Sequence, residues 1–185
     1  MLMESEGKAS PIYHERQRLQ FCLLHALNNL FQEKIFTSSC LNSIAEELKE
    51  NDPDESTTSW SPISFFVNPH HNPWTGNYDV NVLIAAVERK GMKVVWHDRR
   101  SGTTAFDLDS DDGMLHGMVL NIRVVKFAGL WVSRHWVALR KIGGVWFNLD
   151  SDLRKPLCFK GSDEVREFLE VAMSQGAELL LIMNP

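Results

Sequence analysis

The sequence predicts an α+β domain, with N-terminal helices packed on an antiparallel sheet. Two observations carry this: apolar residues recur at helical spacings in three windows of the first ninety positions, and strand-like apolar runs recur through the second half. A third is the pair Gly143-Gly144 between two such runs, a turn signal for a two-stranded hairpin.

Residues 1–10 are polar and are expected to form a disordered tail, leaving 11–185 as a single domain. From Cys22 to Gln32, Leu23, Leu24, Leu27, Leu30 and Phe31 mark a buried helix with Cys22 in its first turn. A second helix is expected over Ser39–Glu50, where Leu41, Ile44, Ala45 and Leu48 share one side and the serines suit capping. Residues 51–77 hold four prolines among Trp60, Phe65, Phe66 and Trp74, which reads as a long irregular excursion with apolar anchors. Asp79 caps a third helix over Asn81–Lys90, ended by Gly91.

Strands are expected at Lys93–His97, Met118–Ile122, His135–Ile142 and Val145–Leu149. A helix over Asp163–Ser174 with Ser162 as cap, and a buried closing strand at Leu179–Met183, complete the chain.

Composition excludes several functions. Nineteen Lys and Arg against 24 Asp and Glu give a net charge of -5, without the clustered basic surface that nucleic acid requires. No run approaches the roughly 18 apolar residues of a membrane span, and the first ten residues lack the apolar region of a secretory signal. Cys22, Cys40 and Cys158 are odd in number and widely spaced, which fits reduced thiols in the cytoplasm or nucleus. Cys40 and Cys158 are read as buried thiols. His70-His71, His14, His25, His97 and His116 form no compact ligand pattern, so no metal or other cofactor is expected.

Chemistry concentrates at four residues. A cysteine attacks carbonyls as thiolate, and the free N–H groups at a helix N-terminus favour that form, which is the position of Cys22. Taken alone, a cysteine between Phe21 and Leu23 reads more readily as a core thiol. With Gly143 and Gly144 as the turn, Ile142 pairs with Val145. That register sets Asp150 opposite Val137 and near His135, where a carboxylate can orient an imidazole toward a thiol. The same geometry describes an ordinary ion pair at a hairpin end. Gln17, five residues before Cys22, can offer a side-chain N–H to an oxyanion with the Cys22 N–H as second donor, although composition alone favours a solvated residue beside Arg16 and Arg18.

Tyr13-His14-Glu15-Arg16-Gln17, followed by Cys22-Leu23-Leu24-His25-Ala26-Leu27-Asn28-Asn29, resembles the opening of the Josephin domain. Gly76-Asn77-Tyr78-Asp79-Val80-Asn81-Val82, Trp96-His97-Asp98-Arg99-Arg100, His135-Trp136-Val137-Ala138-Leu139-Arg140 and Asn148-Leu149-Asp150-Ser151 come next in the family's order, so the likeness covers about residues 12–183. It implies a papain-like cysteine protease that hydrolyses isopeptide or peptide bonds at the C-terminus of ubiquitin through a Cys-His-Asp triad and a thioester. The resemblance places the nucleophile at Cys22, the base at His135, the orienting residue at Asp150 and the oxyanion donor at Gln17. The expected partners are ubiquitin or polyubiquitin conjugates, met by a monomer. Two segments depart from the family: the proline-rich 51–73, where it carries a mobile helical arm, and Arg123–Ser133. The same chemistry also serves transglutaminases and acetyltransferases, and a module that holds ubiquitin without cleaving it is the alternative from another class.

Overall fold

A computed structural model describes residues 11–17, 21–51, 71–72, 77–110, 112–126 and 131–185. The expected tail 1–10 and most of the 51–77 excursion, including Trp60, Phe65 and Phe66, lie outside the described residues.

Helix α1 spans Cys22–Phe31 and α2 spans Ser38–Glu50. Short strands β1, His71–Asn72, and β2, Asn77–Tyr78, pair antiparallel and lead into α3, Val80–Glu88. The sheet takes β3, Lys93–Trp96; β4, Leu115–Lys126; β5, Trp131–Ile142; β6, Val145–Asn148; and β7, Leu157–Cys158. It closes with β8, Glu178–Met183, after helix α4, Ser162–Ser174. Strand order is β3-β8-β4-β5-β6-β7, with every pair antiparallel. The architecture is therefore the α+β class read from the sequence.

Local chemistry sets the boundaries. Thr37, rather than one of the serines, caps α2 by accepting the Cys40 N–H. Asp79 caps α3 as expected, its carboxylate accepting from Asn81 and Val82. Helix α4 begins one residue early, at Ser162, after Gly161, which offers no side-chain cap. Helix α1 stops at Gln32, which takes the left-handed conformation at φ 59. That conformation is uncommon for a residue with a side chain, and the Gln32 amide offsets it by donating to the Asn29 carbonyl at 2.6 Å. Arg140 of β5 donates to the Leu30 carbonyl, placing a cation at the negative end of α1.

The sheet is covered on both faces, which explains why its strands read as unbroken apolar runs. Val119, Trp136, Ala138, Leu180 and Ile182 pack with α1, α2 and α3. Their neighbours Met118, Leu120, Val137, Leu139, Leu179 and Leu181 pack with Val165, Leu169 and Met173 of α4. Adjacent residues serve opposite layers, as the period of two requires.

Where α1 crosses the sheet the approach is close. A Cβ on Gly117 would lie 2.6 Å from Leu30 Cδ1 and 2.7 Å from the Leu139 carbonyl oxygen. The carbonyl belongs to a ladder strand and cannot swing aside. Gly117→Ala is expected to destabilise the domain by about 1–3 kcal/mol, read as a lowered urea midpoint.

Three sequence expectations change. The strands expected at Met118–Ile122 and His135–Ile142 are longer: β4 and β5 have twelve residues each and pair at nine positions, through Arg123↔Arg134 and Val124↔Ser133 to Lys126↔Trp131. Cys158 is exposed rather than buried, because β7 is a two-residue edge strand whose side chains face out. Cys40 is half-buried.

Candidate active site

Cys22 is the first residue of α1, 3 % exposed. Phe21 precedes it and gives no side-chain cap, so no side chain of the capping residue occupies the first-turn N–H groups. His135 lies in β5 opposite Ile122 and is 6 % exposed. The hairpin brings up the third group. Register 142↔145 continues through Leu139↔Asn148, and the Leu149 N–H donates to the Ala138 carbonyl at 2.8 Å. β6 ends at Asn148, so Asp150 lies beyond the ladder rather than paired with Val137. The Asn148 side chain accepts the Asp150 N–H at 2.9 Å, and His135 Nε2 bonds Asp150 Oδ1 at 2.7 Å.

With Nε2 engaged, Nδ1 is the ring nitrogen left for the thiol, and Cys22 is near enough to favour the charged ring. Burial disfavours the imidazolium, but the hydrogen bonds to Asp150 and Cys22 and their negative charges outweigh it, and the His135 pKa is pushed up to about 10.

Asp152 Oδ2 lies 3.8 Å from the same Nε2, and its side chain is well exposed. His135, Asp150 and Asp152 are the described residues whose ligand atoms gather as a trio, within 4.8 Å. A metal would need the deprotonated Nε2, which here donates to Asp150, so this donor set fits an ion pair rather than a metal centre. Four other histidines have separate neighbours: His14 bonds the Asp150 carbonyl, His25 bonds Glu15, and the His97 and His116 rings pack on Phe106 and Phe31. Trp136 is 2 % exposed and donates to the Tyr78 carbonyl, anchoring the core beneath β2.

Gln17 reaches the site on an extended strap, residues 13–17, laid along α1. Helix side chains stand in for a partner strand. Gln32 accepts the Tyr13 N–H at 3.0 Å and donates to its carbonyl at 3.1 Å, while Asn29 accepts the Glu15 N–H at 2.5 Å and donates to its carbonyl at 3.1 Å. Side chains three apart on a helix share a face, and alternate residues of an extended chain share an edge. The Asn29 amide on α1 and the Gln32 amide at its C-cap thus pair with residues 15 and 13. At its far end the strap crosses to the sheet, where the Gln17 N–H donates to the Ser151 carbonyl at 2.8 Å.

Under the strap, the Glu15 carboxylate accepts from the Tyr13 hydroxyl, His25 Nδ1 and Asn28 Nδ2. Burial raises the Glu15 pKa, but these hydrogen bonds, with the His25 charge, hold it below the usual 4.5. Such a carboxylate adds stability above its unfolded pKa and loses it as pH falls through the depressed value. Glu15→Gln is expected to lower the urea midpoint at pH 7, and its difference from wild type is expected to shrink as pH falls below about 4.

The 149–151 segment is tied down at every carbonyl. Asn29 Nδ2 donates to Leu149 at 2.9 Å, His14 Nε2 bonds Asp150 at 2.9 Å, and Gln17 bonds Ser151. Three of the sequence-identified residues therefore meet at one ring, with Asp150 hydrogen-bonded to His135 and Cys22 acting on it, and Gln17 pairs with the residue next to Asp150. Sequence reasoning assigns no part to Glu15, His14, Asn29, Gln32 or Ser151. The signal for them is their density of polar side chains around an apolar helix, which calls for buried partners.

A helix-borne thiol, a strand-borne imidazole and a carboxylate beyond the next strand form the arrangement shared by papain-like cysteine proteases. The chain belongs to the Josephin family, whose model, described as Josephin, matches residues 17–183. It is 59% identical over 174 residues to a Josephin-like protein of Arabidopsis thaliana, covering 94% of this chain and 47% of that protein. It is 39% identical over 192 residues to Josephin-2 of Mus musculus, covering 100% and 93%. With Josephin-2 of Homo sapiens the identity is 40% over 179 residues, covering 94% and 86%. The chain thus spans about half the length of the plant relative and most of the other two. Membership supports a deubiquitinase-type cysteine protease.

Proposed function

We propose that this chain is a deubiquitinating cysteine protease that hydrolyses isopeptide and peptide bonds at the C-terminus of ubiquitin. The observation that carries this reading is the buried His135–Asp150 pair, with Nε2 2.7 Å from the carboxylate, and Cys22 at the start of α1 acting on the same ring. Its substrates are ubiquitin or polyubiquitin conjugates, and it acts as a monomer in the cytoplasm and nucleus.

The chemical steps use each group in turn. His135 takes the Cys22 proton, and Asp150 fixes the ring so that the resulting imidazolium faces the thiolate. The thiolate attacks the carbonyl carbon of the last glycine of ubiquitin, and the carbonyl oxygen becomes an oxyanion. The Cys22 backbone N–H and Gln17 Nε2 donate to that oxygen. As the oxyanion collapses, the C–N bond breaks and His135 passes its proton to the leaving amine, leaving a thioester. His135, now neutral, deprotonates a water that attacks the thioester, and ubiquitin leaves with a free carboxylate while Cys22 is restored.

Among the described residues, no helix is long and apolar enough to cross a membrane. The test is hydrolysis of lysine-linked di-ubiquitin under reducing conditions. Release of mono-ubiquitin by the wild type, absent in Cys22→Ala, supports the proposal. Full cleavage by Cys22→Ala would overturn it.

A further inference from the structure

The residue after Asp150 is tied to Gln17 at two points. Ser151 is 1 % exposed. Its carbonyl accepts the Gln17 N–H at 2.8 Å, and its hydroxyl donates to Gln17 Oε1 at 3.4 Å. From this we propose that Ser151 is a positioning residue for the oxyanion donor, holding the Gln17 amide so that Nε2 rather than Oε1 is presented to the reacting carbonyl. This role rests on the deubiquitinase reading.

The chemistry of an amide makes the orientation matter. A glutamine side chain ends in one acceptor and one two-hydrogen donor, and rotation of its last torsion exchanges them. With Oε1 toward the cleft, its partial negative charge would oppose the charge developing in the transition state. With Nε2 there, it stabilises that charge. Here the hydroxyl donates to Oε1, which leaves Nε2 for the cleft before substrate arrives.

The backbone bond serves the same end. It fixes the strap at the residue that carries the amide, next to a carbonyl already held by His14. Ser151 thereby links two parts of the machinery on separate elements. Asp150, one residue before it, orients the base, and Gln17, hydrogen-bonded to it, faces the oxyanion. A displacement of the 149–151 segment would disturb both together, so the segment works as a splint between them.

Ser151 acts through Gln17 and not on substrate, which defines the test. Rates are measured on ubiquitin carrying a C-terminal fluorogenic amide, for wild type, Ser151→Ala, Gln17→Ala and the double variant. Gln17→Ala is expected to lower kcat about 100-fold, and Ser151→Ala about 3- to 10-fold with KM nearly unchanged, since it loses only the orientation of that donor. In the Gln17→Ala background, Ser151→Ala is expected to cost nothing further. Alkylation of Cys22 by iodoacetamide forms no oxyanion, so Ser151→Ala should alkylate at the wild-type rate. Ser151→Cys, nearly isosteric and a weaker donor, should fall between wild type and Ser151→Ala in kcat.

Three results would overturn the inference: an undiminished kcat in Ser151→Ala, the same loss with or without Gln17, or slowed alkylation of Cys22, which would locate the damage at the triad. Absence of turnover in the wild type would bring down the functional reading instead, and the Ser151 role with it.

Discussion

His135→Ala is expected to lower kcat/KM on a ubiquitin C-terminal amide by about 10³- to 10⁴-fold, with the protein still folded at neutral pH. The variant loses two functions of one ring. Nothing then accepts the thiol proton, and nothing donates a proton to the leaving amine. The imidazole acts in proton transfer rather than in holding substrate, so the loss should fall on kcat more than on KM. The variant carries a second signature in stability. His135 has a folded pKa of about 10 against an ordinary 6.5, because the bonds to Asp150 and Cys22 outweigh burial. A raised pKa means stabilisation that is fully present below 6.5 and is lost as pH rises through about 10. Urea unfolding of the wild type should therefore show stability declining across that interval by a few kcal/mol, and His135→Ala should flatten that part of the curve.

Asp150→Ala is expected to move the alkaline limb of kcat/KM to lower pH. On the proposed mechanism that limb should report loss of the His135 proton near pH 10, with activity expected below it and falling above. Asp150 contributes the largest of the effects that raise this pKa. Without it only Cys22 opposes burial, and the limb should fall by about 1 to 3 on the pH scale. Rate at neutral pH should drop about 10²- to 10⁴-fold, because the ring also loses the bond that fixes its orientation. Asp150→Asn keeps an acceptor for Nε2–H but not the charge. It should retain more activity than Asp150→Ala while its limb still moves. Asp152, 3.8 Å from the same nitrogen, is exposed, and solvent screens it, so Asp152→Asn should shift the limb far less.

Much of this site is legible in the sequence because its geometry obeys local rules. The Gly143-Gly144 turn sets the register 142↔145, and that register alone brings Asp150 to the neighbourhood of His135. Helical periodicity sets Cys22 at the start of α1, and Asp79 announces α3 as its cap. Features that depend on distant partners escape such rules. Asn29 bonds Leu149 across 120 positions, and His14 bonds Asp150 across 136. Neither bond leaves a mark on its neighbours in sequence. Gln17 reads as a donor, but the device that orients it, a buried serine on another element, has no local signature. The two-residue strand β7 goes undetected because a strand that short has no period. Extension of β4 and β5 through Arg123–Ser133 is obscured by Arg123 and Arg134, polar residues in a ladder that continues through them.

Whether Cys22 is the nucleophile toward ubiquitin, with His135 as its base, decides the functional reading. The direct measurement is reaction of the reduced protein with a ubiquitin whose C-terminus bears a thiol-reactive electrophile, with intact mass then read for wild type, Cys22→Ala and His135→Ala. The expected result is an adduct of one ubiquitin per wild-type chain, none in Cys22→Ala despite the thiols at Cys40 and Cys158, and strongly slowed formation in His135→Ala. An adduct that persists without Cys22, or a wild type that forms none, would contradict the assignment.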